Sequence, residues 1–152
     1  MRVAWTPEQL RNFLLNATSV SPEYPVVISK FIENAIEVEV DAVSDGGTTI
    51  IGAVIEHVER AGVHSGDATM VIPPQRISPE IIKTIKDYTR RIAKALRIKG
   101  PFNIQFLVKD GVVYVIECNL RASRSMPFVS KVKAVNLMKL ASHALMDEKI
   151  TW

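Results

Sequence analysis

Two hydrophobic periods alternate along this chain. Apolar residues recur every three or four positions from Leu10 to Leu14, from Ile81 to Leu96 and from Val135 to Leu145. They recur every second position from Ile36 to Val43 and on both sides of Lys109-Asp110-Gly111. The first spacing belongs to helices with one buried face and the second to strands with one buried face. Thr6-Pro7-Glu8-Gln9 predicts a helix start, with a threonine N-cap, proline in the first turn and glutamine three residues on. That helix is expected to fade near Ala17. After Pro25 a strand is predicted over residues 26–31, a second over 36–43, and a third from 48 to about 58, entered through the turn Asp45-Gly46-Gly47. On pattern alone Glu37 and Glu39, alternating with valines, are the solvent side of a strand.

Residues 59–76 break the pattern. Their glycines and prolines, and the run Gly62-Val63-His64-Ser65-Gly66-Asp67, predict a functional loop. A long helix follows, with Ser78 as N-cap and Pro79 at its first position, a stripe of Ile81, Ile85, Tyr88, Ile92 and Leu96, and Gly100 as its stop. The opposite face, with Lys83, Lys86, Arg90 and Lys94, reads as a solvated surface. A last helix is predicted over about 132–146.

Between these helices lie two strands, 102–108 and 112–119. A two-residue Asp-Gly turn would pair Lys109 with Val112 and set Ile104 on the face of Glu117. A three-residue loop with Gly111 left-handed pairs Val108 with Val112 instead. That register gathers Phe102, Ile104, Phe106 and Val108 with Val112, Tyr114, Ile116 and Cys118 on one apolar face, and Asn103, Gln105, Glu117 and Asn119 on the other. A one-residue slip would bury Glu117 at a cost of several kcal/mol, so the three-residue loop is expected. With strands joined by hairpins and outnumbering helices, the fold class is α+β, a mainly antiparallel sheet flanked by helices.

Composition narrows the function classes. At 152 residues the chain has the size of one domain, and 47% hydrophobic with 23% charged residues is a globular balance. A net charge of +3 suits an anionic small molecule and is too weak to argue for nucleic acid. The single cysteine, Cys118, reads as core and fits a reducing, cytoplasmic setting. No apolar run is long enough for a membrane span.

The chemistry gathers at one strand end. In the expected register Gln105 lies diagonal to Glu117, with Cβ atoms roughly 7–8 Å apart. A carboxylate with neutral amide oxygens from Gln105 and Asn119 suits magnesium, which keeps water and phosphate oxygens in its shell. Arg121 and Arg124, just past the strand, are placed to clamp phosphates and the charge of a transferring phosphoryl group.

Three stretches carry a family resemblance. The string Ile116-Glu-Cys-Asn-Leu-Arg-Ala-Ser-Arg-Ser-Met-Pro-Phe-Val-Ser-Lys131 resembles the large subunit of carbamoyl-phosphate synthetase, an ATP-grasp enzyme. So do Glu56-His-Val-Glu-Arg-Ala-Gly-Val-His-Ser-Gly-Asp67-Ala and Gly100-Pro-Phe-Asn-Ile-Gln105. The similarity runs from about residue 3 to about residue 147, and the Arg-Ser-Met-Pro-Phe wording is most like the second, carbamate-phosphorylating half. The resemblance implies metal positions at Gln105, Glu117 and Asn119, a ribose-binding position at Glu37, and adenine contacts at Lys30 and Ile32. It also implies a nucleotide-lining loop at Gly62, Val63, His64 and Ser65, and Arg121 near the transferring phosphate. Arg124 rests on its position in the string.

The function so implied is ATP- and magnesium-dependent (or manganese-dependent) phosphorylation of carbamate to carbamoyl phosphate, for pyrimidine or arginine biosynthesis. Its partners are the rest of the large subunit and a glutaminase subunit or domain, with no nucleic acid and no membrane. Residues 1–152 are expected to be the C-terminal portion of an ATP-grasp domain, without the upstream lid subdomain and inactive alone. The alternatives are another ATP-grasp ligase or carboxylase, and a non-catalytic assembly module.

Overall fold

The computed structural model describes residues 2–20, 23, 25–62 and 67–152, with backbone only at residues 18, 20 and 60. The chain divides into two compact units, Met1–Glu33 and Asn34–Trp152.

In the first unit, α1 spans Pro7–Val20, about a turn beyond its expected end. Gln9 N–H donates to Thr6 Oγ1 at 3.2 Å, and Trp5 N–H donates to Gln9 Oε1 at 2.9 Å. The threonine caps as the Thr-x-x-Gln spacing predicts, while the glutamine reaches one residue further back, to Trp5 rather than Thr6. The strand expected over residues 26–31 does not form. Val27 is 86% exposed and Ile28 60% exposed, and among the described residues no segment forms a ladder with them. Lone alternation cannot pair backbone N–H and C=O groups.

The second unit follows the order β1 (Ile36–Asp45), β2 (Thr49–Arg60), β3 (Met70–Val71), α2 (Pro79–Ala95), β4 (Lys99–Lys109), β5 (Val112–Asn119), α3 (Met126–Val132) and α4 (Leu137–Leu145). The sheet runs β3-β2-β1-β4-β5, and every neighbouring pair is antiparallel. This is the expected α+β architecture. The β1–β2 turn is held by Asp45, whose Oδ1 accepts from Gly47 N–H at 2.9 Å and from Thr48 N–H at 2.6 Å. Its Oδ2 accepts from Ile150 N–H at 3.1 Å, which anchors the C-terminal segment to the same turn.

One face of the sheet packs on α2. Val38, Val40, Ala42, Phe102, Ile104, Phe106 and Val108 meet Ile77, Ile85, Ala93 and Ile98 in a continuous core. The other face is divided. At one end Val43, Ile50, Ala53 and Ile55 pack under Met126, Val129, Leu137, Ala141 and Ala144 of α3 and α4. At the other end the inward positions are polar. Gly52 is where the helices come nearest, since a Cβ there would meet Leu137 Cδ1 at 2.5 Å and Val129 Cγ1 at 3.1 Å.

Three sequence expectations are corrected. Helix α2 is stopped by Arg97, left-handed at φ 49°, and not by Gly100, which lies in β4. Ile98 N–H returns to Ala93 O at 3.0 Å and Arg97 N–H to Lys94 O at 3.2 Å, a Schellman end built on a non-glycine residue. The helix expected over 132–146 begins late, at Leu137, and a separate short helix, α3, ends at Val132 before it. Ala134, at φ 52°, breaks the chain between them, and Asn136 recaps it by accepting from Lys139 N–H at 2.9 Å.

The third correction is the β4–β5 loop. It has two residues, Asp110 at φ 50° and Gly111 at φ 77°, and Lys109 pairs with Val112. Both central residues are left-handed, as a type I′ turn requires. The irregularity sits instead at Ile116, which is unpaired between Phe106↔Val115 and Gln105↔Glu117. Val113 and Cys118 therefore pack on the α2 core, while Val112, Tyr114 and Ile116 are 41–49% exposed on the edge strand.

Candidate functional site

The polar end of the sheet is assembled from four strands. Alternation along β1 puts Glu37, Glu39 and Asp41 on the side away from α2. In register with them, β4 brings Gln105 opposite Glu39 and Asn103 opposite Asp41. On the edge strand, Glu117 faces Gln105 and Asn119 faces Asn103. The three residues implied as metal positions therefore lie together, although by a route other than the expected loop. Asn119 Nδ2 donates to Glu117 Oε1 at 2.9 Å, and both side chains remain open to solvent in part.

Glu37, Glu39 and Asp41 are not the wet side of a strand. They are 5%, 3% and 0% exposed, on the central strand of the same sheet. Burying carboxylates is costly unless each finds donors or a cation. Gln105 Nε2 donates to Glu39 Oε1 at 3.3 Å, and Asn103 Nδ2 donates to Glu39 Oε2 at 3.2 Å and to Asp41 Oδ1 at 3.0 Å. Ser125, which precedes α3, donates its hydroxyl to Asp41 Oδ2 at 2.6 Å.

His57 supplies the charge partner from β2. Its Nε2 stands 3.2 Å from Glu39 Oε1 and its Nδ1 3.7 Å from Glu37 Oε1. Nε2 has the ion-pair distance without hydrogen-bond alignment, and it is otherwise unpartnered. Burial alone would lower the imidazole pKa, but contact with Glu39 and the charges of Glu37, Glu39 and Glu59 outweigh it and raise the pKa above the usual 6.5. With His57 neutral, Glu37, Glu39 and His57 offer three ligand atoms within 4.8 Å of one another, a spacing suited to a cation. With His57 protonated, the group supplies its own positive charge.

The neighbouring loop is held from both ends. Gly62 N–H donates to Glu37 Oε2 at 3.3 Å, so the start of the predicted nucleotide-lining loop touches the predicted ribose-binding residue. On the other side of β2, Glu56 Oε2 accepts from Gln75 N–H and Arg76 N–H, each at 2.8 Å, while Arg76 pairs with its other oxygen. Burial would raise the Glu56 pKa, but these donors lower it overall. Arg76 also donates to the carbonyl of His57, which ties the returning loop to the histidine's own backbone. Val63, His64 and Ser65 lie outside the described residues. Lys30 and Ile32 belong to the first unit, Lys30 exposed and Ile32 half-buried.

Arg121 and Arg124 are both exposed in the segment between β5 and α3. Arg121 Nη1 donates to Ala122 O at 3.2 Å. Cys118 is half-buried on the opposite face, and burial raises its thiol pKa, as fits a core residue.

A family model described as the carbamoyl-phosphate synthase L chain, ATP binding domain, matches residues 1–150. The chain belongs to this family. It is 54% identical over 152 residues to the carbamoyl phosphate synthase large chain of Hyperthermus butylicus, covering all of this chain and 14% of that one. It is 51% identical to the carbamoyl phosphate synthase large chain, C-terminal section, of Methanocaldococcus jannaschii, covering 99% of this chain and 24% of that protein. The human mitochondrial carbamoyl-phosphate synthase [ammonia] is 54% identical over 150 residues, of which this chain spans 10%. The chain thus corresponds to a small part of the length of these carbamoyl-phosphate synthase relatives. In fold it is similar to the biotin carboxylase of the β,γ-ATP complex from Campylobacter jejuni. That match has a TM-score of 0.78 and 16% identity, and covers 95% of this chain and 32% of that one. The fold is that of the ATP-grasp group.

Sequence reasoning gave no role to Glu39, Asp41, Asn103, His57 or Ser125. Asn103 was placed on the correct face, but the depth of that face was not visible. The phase of His57 depends on the register shift between Asp41 and Ala42, where Gly52 is left unpaired, and single-strand alternation carries no trace of it.

Proposed function

We propose that this chain is the C-terminal, metal-bearing portion of an ATP-grasp domain that phosphorylates carbamate to carbamoyl phosphate, with magnesium or manganese, inside a complete synthase large chain. The remaining large chain and a glutaminase partner would complete the enzyme, in the cytoplasm, serving pyrimidine or arginine synthesis. The observation supporting this most directly is that Gln105, Glu117 and Asn119 share one sheet face with the buried acids Glu37, Glu39 and Asp41.

One accessible carboxylate flanked by two amides fits a magnesium ion that keeps phosphate oxygens and water in its shell. Glu117 would be the charged ligand and Gln105 a neutral one. Asn119 would turn its amide so that Oδ1, and not the Nδ2 now donating to Glu117, faces the ion. Once bound, such an ion supplies charge neutralisation between the phosphates. Arg121 and Arg124 extend donors from the adjoining segment toward phosphate oxygens, where a guanidinium fork matches the charge of a transferring phosphoryl group. Glu37 would accept from a ribose hydroxyl while holding Gly62; the family resemblance would add adenine contacts at Lys30 and Ile32 and nucleotide contacts at Val63, His64 and Ser65. Alone, the chain is expected to bind nucleotide weakly and turn over little, because phosphoryl transfer needs the enclosure supplied by the rest of the domain.

Two measurements test this reading. Calorimetric titration with Mg2+–ATP should show binding by the chain that Glu117→Gln abolishes. Binding unaffected by the substitution removes Glu117 from the site. In the Hyperthermus butylicus large chain, replacing the matching segment with this sequence should preserve ATP formation from ADP and carbamoyl phosphate, and Glu117→Gln should eliminate it. Retention of that reaction by the substituted chimera rejects the proposed carbamate step.

A further inference from the structure

Asp41 is a fully buried carboxylate with no cationic side chain bonded to it among the described residues, and nothing in the proposed chemistry uses it directly. Its two oxygens are taken by groups from distant parts of the chain. Oδ1 accepts from Asn103 on β4 at 3.0 Å, and Oδ2 from Ser125, just before α3, at 2.6 Å. Asn103 also donates to Glu39, and Glu39 accepts from Gln105. An unbroken hydrogen-bond chain therefore runs Gln105–Glu39–Asn103–Asp41–Ser125. It begins at a proposed metal position and ends at the segment carrying Arg121 and Arg124.

The Ser125 end has an informative local arrangement. A serine before a helix ordinarily accepts a backbone N–H two or three residues on. Ser125 sits at the N-cap of α3 but makes no such bond. Its hydroxyl is given to Asp41, and Ser123 takes over part of the capping by accepting from Met126 N–H at 3.0 Å. Ser123 and Ser125 hydroxyls also lie 3.0 Å apart. The segment forgoes its own helix cap in order to reach a buried acid on the central strand. Because a hydroxyl donor to a charged acceptor makes a short, strong and directional bond, this contact fixes position more than it adds bulk packing.

We propose that Asp41 is a positioning residue that pins the Arg121–Arg124 segment to the acidic face through Ser125, so that the guanidinium groups are aimed where phosphates bind. The phosphate role of the arginines rests on the function proposed above, whereas the tether itself does not.

The test uses the whole chain with Ser125→Ala and, separately, Asp41→Asn. In Ser125→Ala, hydrogen exchange of the Met126 and Val129 amides should accelerate about tenfold, as expected from losing one charged hydrogen bond in a local opening, with Val38 and Val40 unchanged. Asp41→Asn should reproduce the pattern if it folds, and Ser125→Ala decides alone if it does not. Exchange unchanged at 126 and 129, or accelerated equally in the central strand, overturns the tether. A second arm compares Mg2+–ATP with adenosine by calorimetry. Ser125→Ala should weaken Mg2+–ATP about tenfold and leave adenosine unchanged, since only the phosphates meet the arginines. Equal losses for both ligands, or none, overturn the aiming role. If the unmodified chain binds neither ligand, the nucleotide reading fails and the exchange result still decides the tether.

Discussion

Gln105 and Glu117 stand opposite one another across β4 and β5, although the two-residue turn joining those strands is of a length that would put them on opposite faces. The contradiction is resolved by Ile116. Its extra residue in β5 reverses the inward and outward sense of everything after it, so Glu117 and Asn119 join the polar face while Cys118 joins the α2 core. One unpaired residue in the edge strand sets the face that Glu117 takes.

Deleting Ile116 alone should straighten β5 and leave Glu117 opposite Gln105, with Mg2+ or Mn2+ binding retained. Deleting Val115 and Ile116 together should bring Glu117 opposite Phe106, on the apolar face. That variant is expected to lose cation binding and several kcal/mol of stability, the scale for an unpaired buried charge. Cation titration and urea unfolding check both; binding retained by the double deletion contradicts the register.

Gly111 is left-handed at φ 77°, with open space where a Cβ would stand. Gly111→Val is therefore a test of backbone strain without crowding, expected to destabilise by roughly 1–2 kcal/mol. An unchanged urea midpoint would show that the turn relaxes at no cost.

Gly52 faces the opposite constraint, close approach. Gly52→Ala places a methyl against Leu137 and Val129, and the expected loss is about 1–3 kcal/mol, typical of overpacking. Pairing it with Leu137→Ala should recover part of that loss. A double-mutant cycle in urea reads the coupling, and strict additivity would place the clash elsewhere.

His57 gives the fold a pH dependence of definite sign. Its folded pKa is raised by Glu39 and Glu37 above the unfolded 6.5, against the effect of burial. The native state thus holds the proton more tightly, and this contribution is complete below pH 6.5. It fades as pH rises through the folded value. Thermal unfolding followed from pH 6 upward should show a falling melting temperature that His57→Gln removes. A slope that survives the substitution assigns the proton to another group.

The hairpin-rich α+β class, the long helix from Ser78 and the family strings were legible in the sequence; Gln105, Glu117 and Asn119 were expected on one face, but through a loop length that the two-residue turn and the bulge at Ile116 replace. The expected 26–31 strand was not formed, because alternation reports a half-buried side without supplying a neighbour to pair with. The apolar period around Val135 and Leu137 does not show that Ala134, left-handed at φ 52°, holds the start of the last helix back to Leu137.

What the sequence by itself determined is the hairpin-joined strands and the long helix from Ser78, since side chains alternate along extended backbone and recur every three or four residues along a helix; the face each β5 residue takes was set by the bulge at Ile116. It also carried the family, because residue types recur in a recognisable order. Tertiary structure alone decided that Glu37, Glu39 and Asp41 are buried, that His57 meets them, and that Ser125 reaches Asp41 across 84 residues of sequence. Burial, bulges and long-range hydrogen bonds depend on what is packed from elsewhere, and no local pattern of polar and apolar residues encodes that partner.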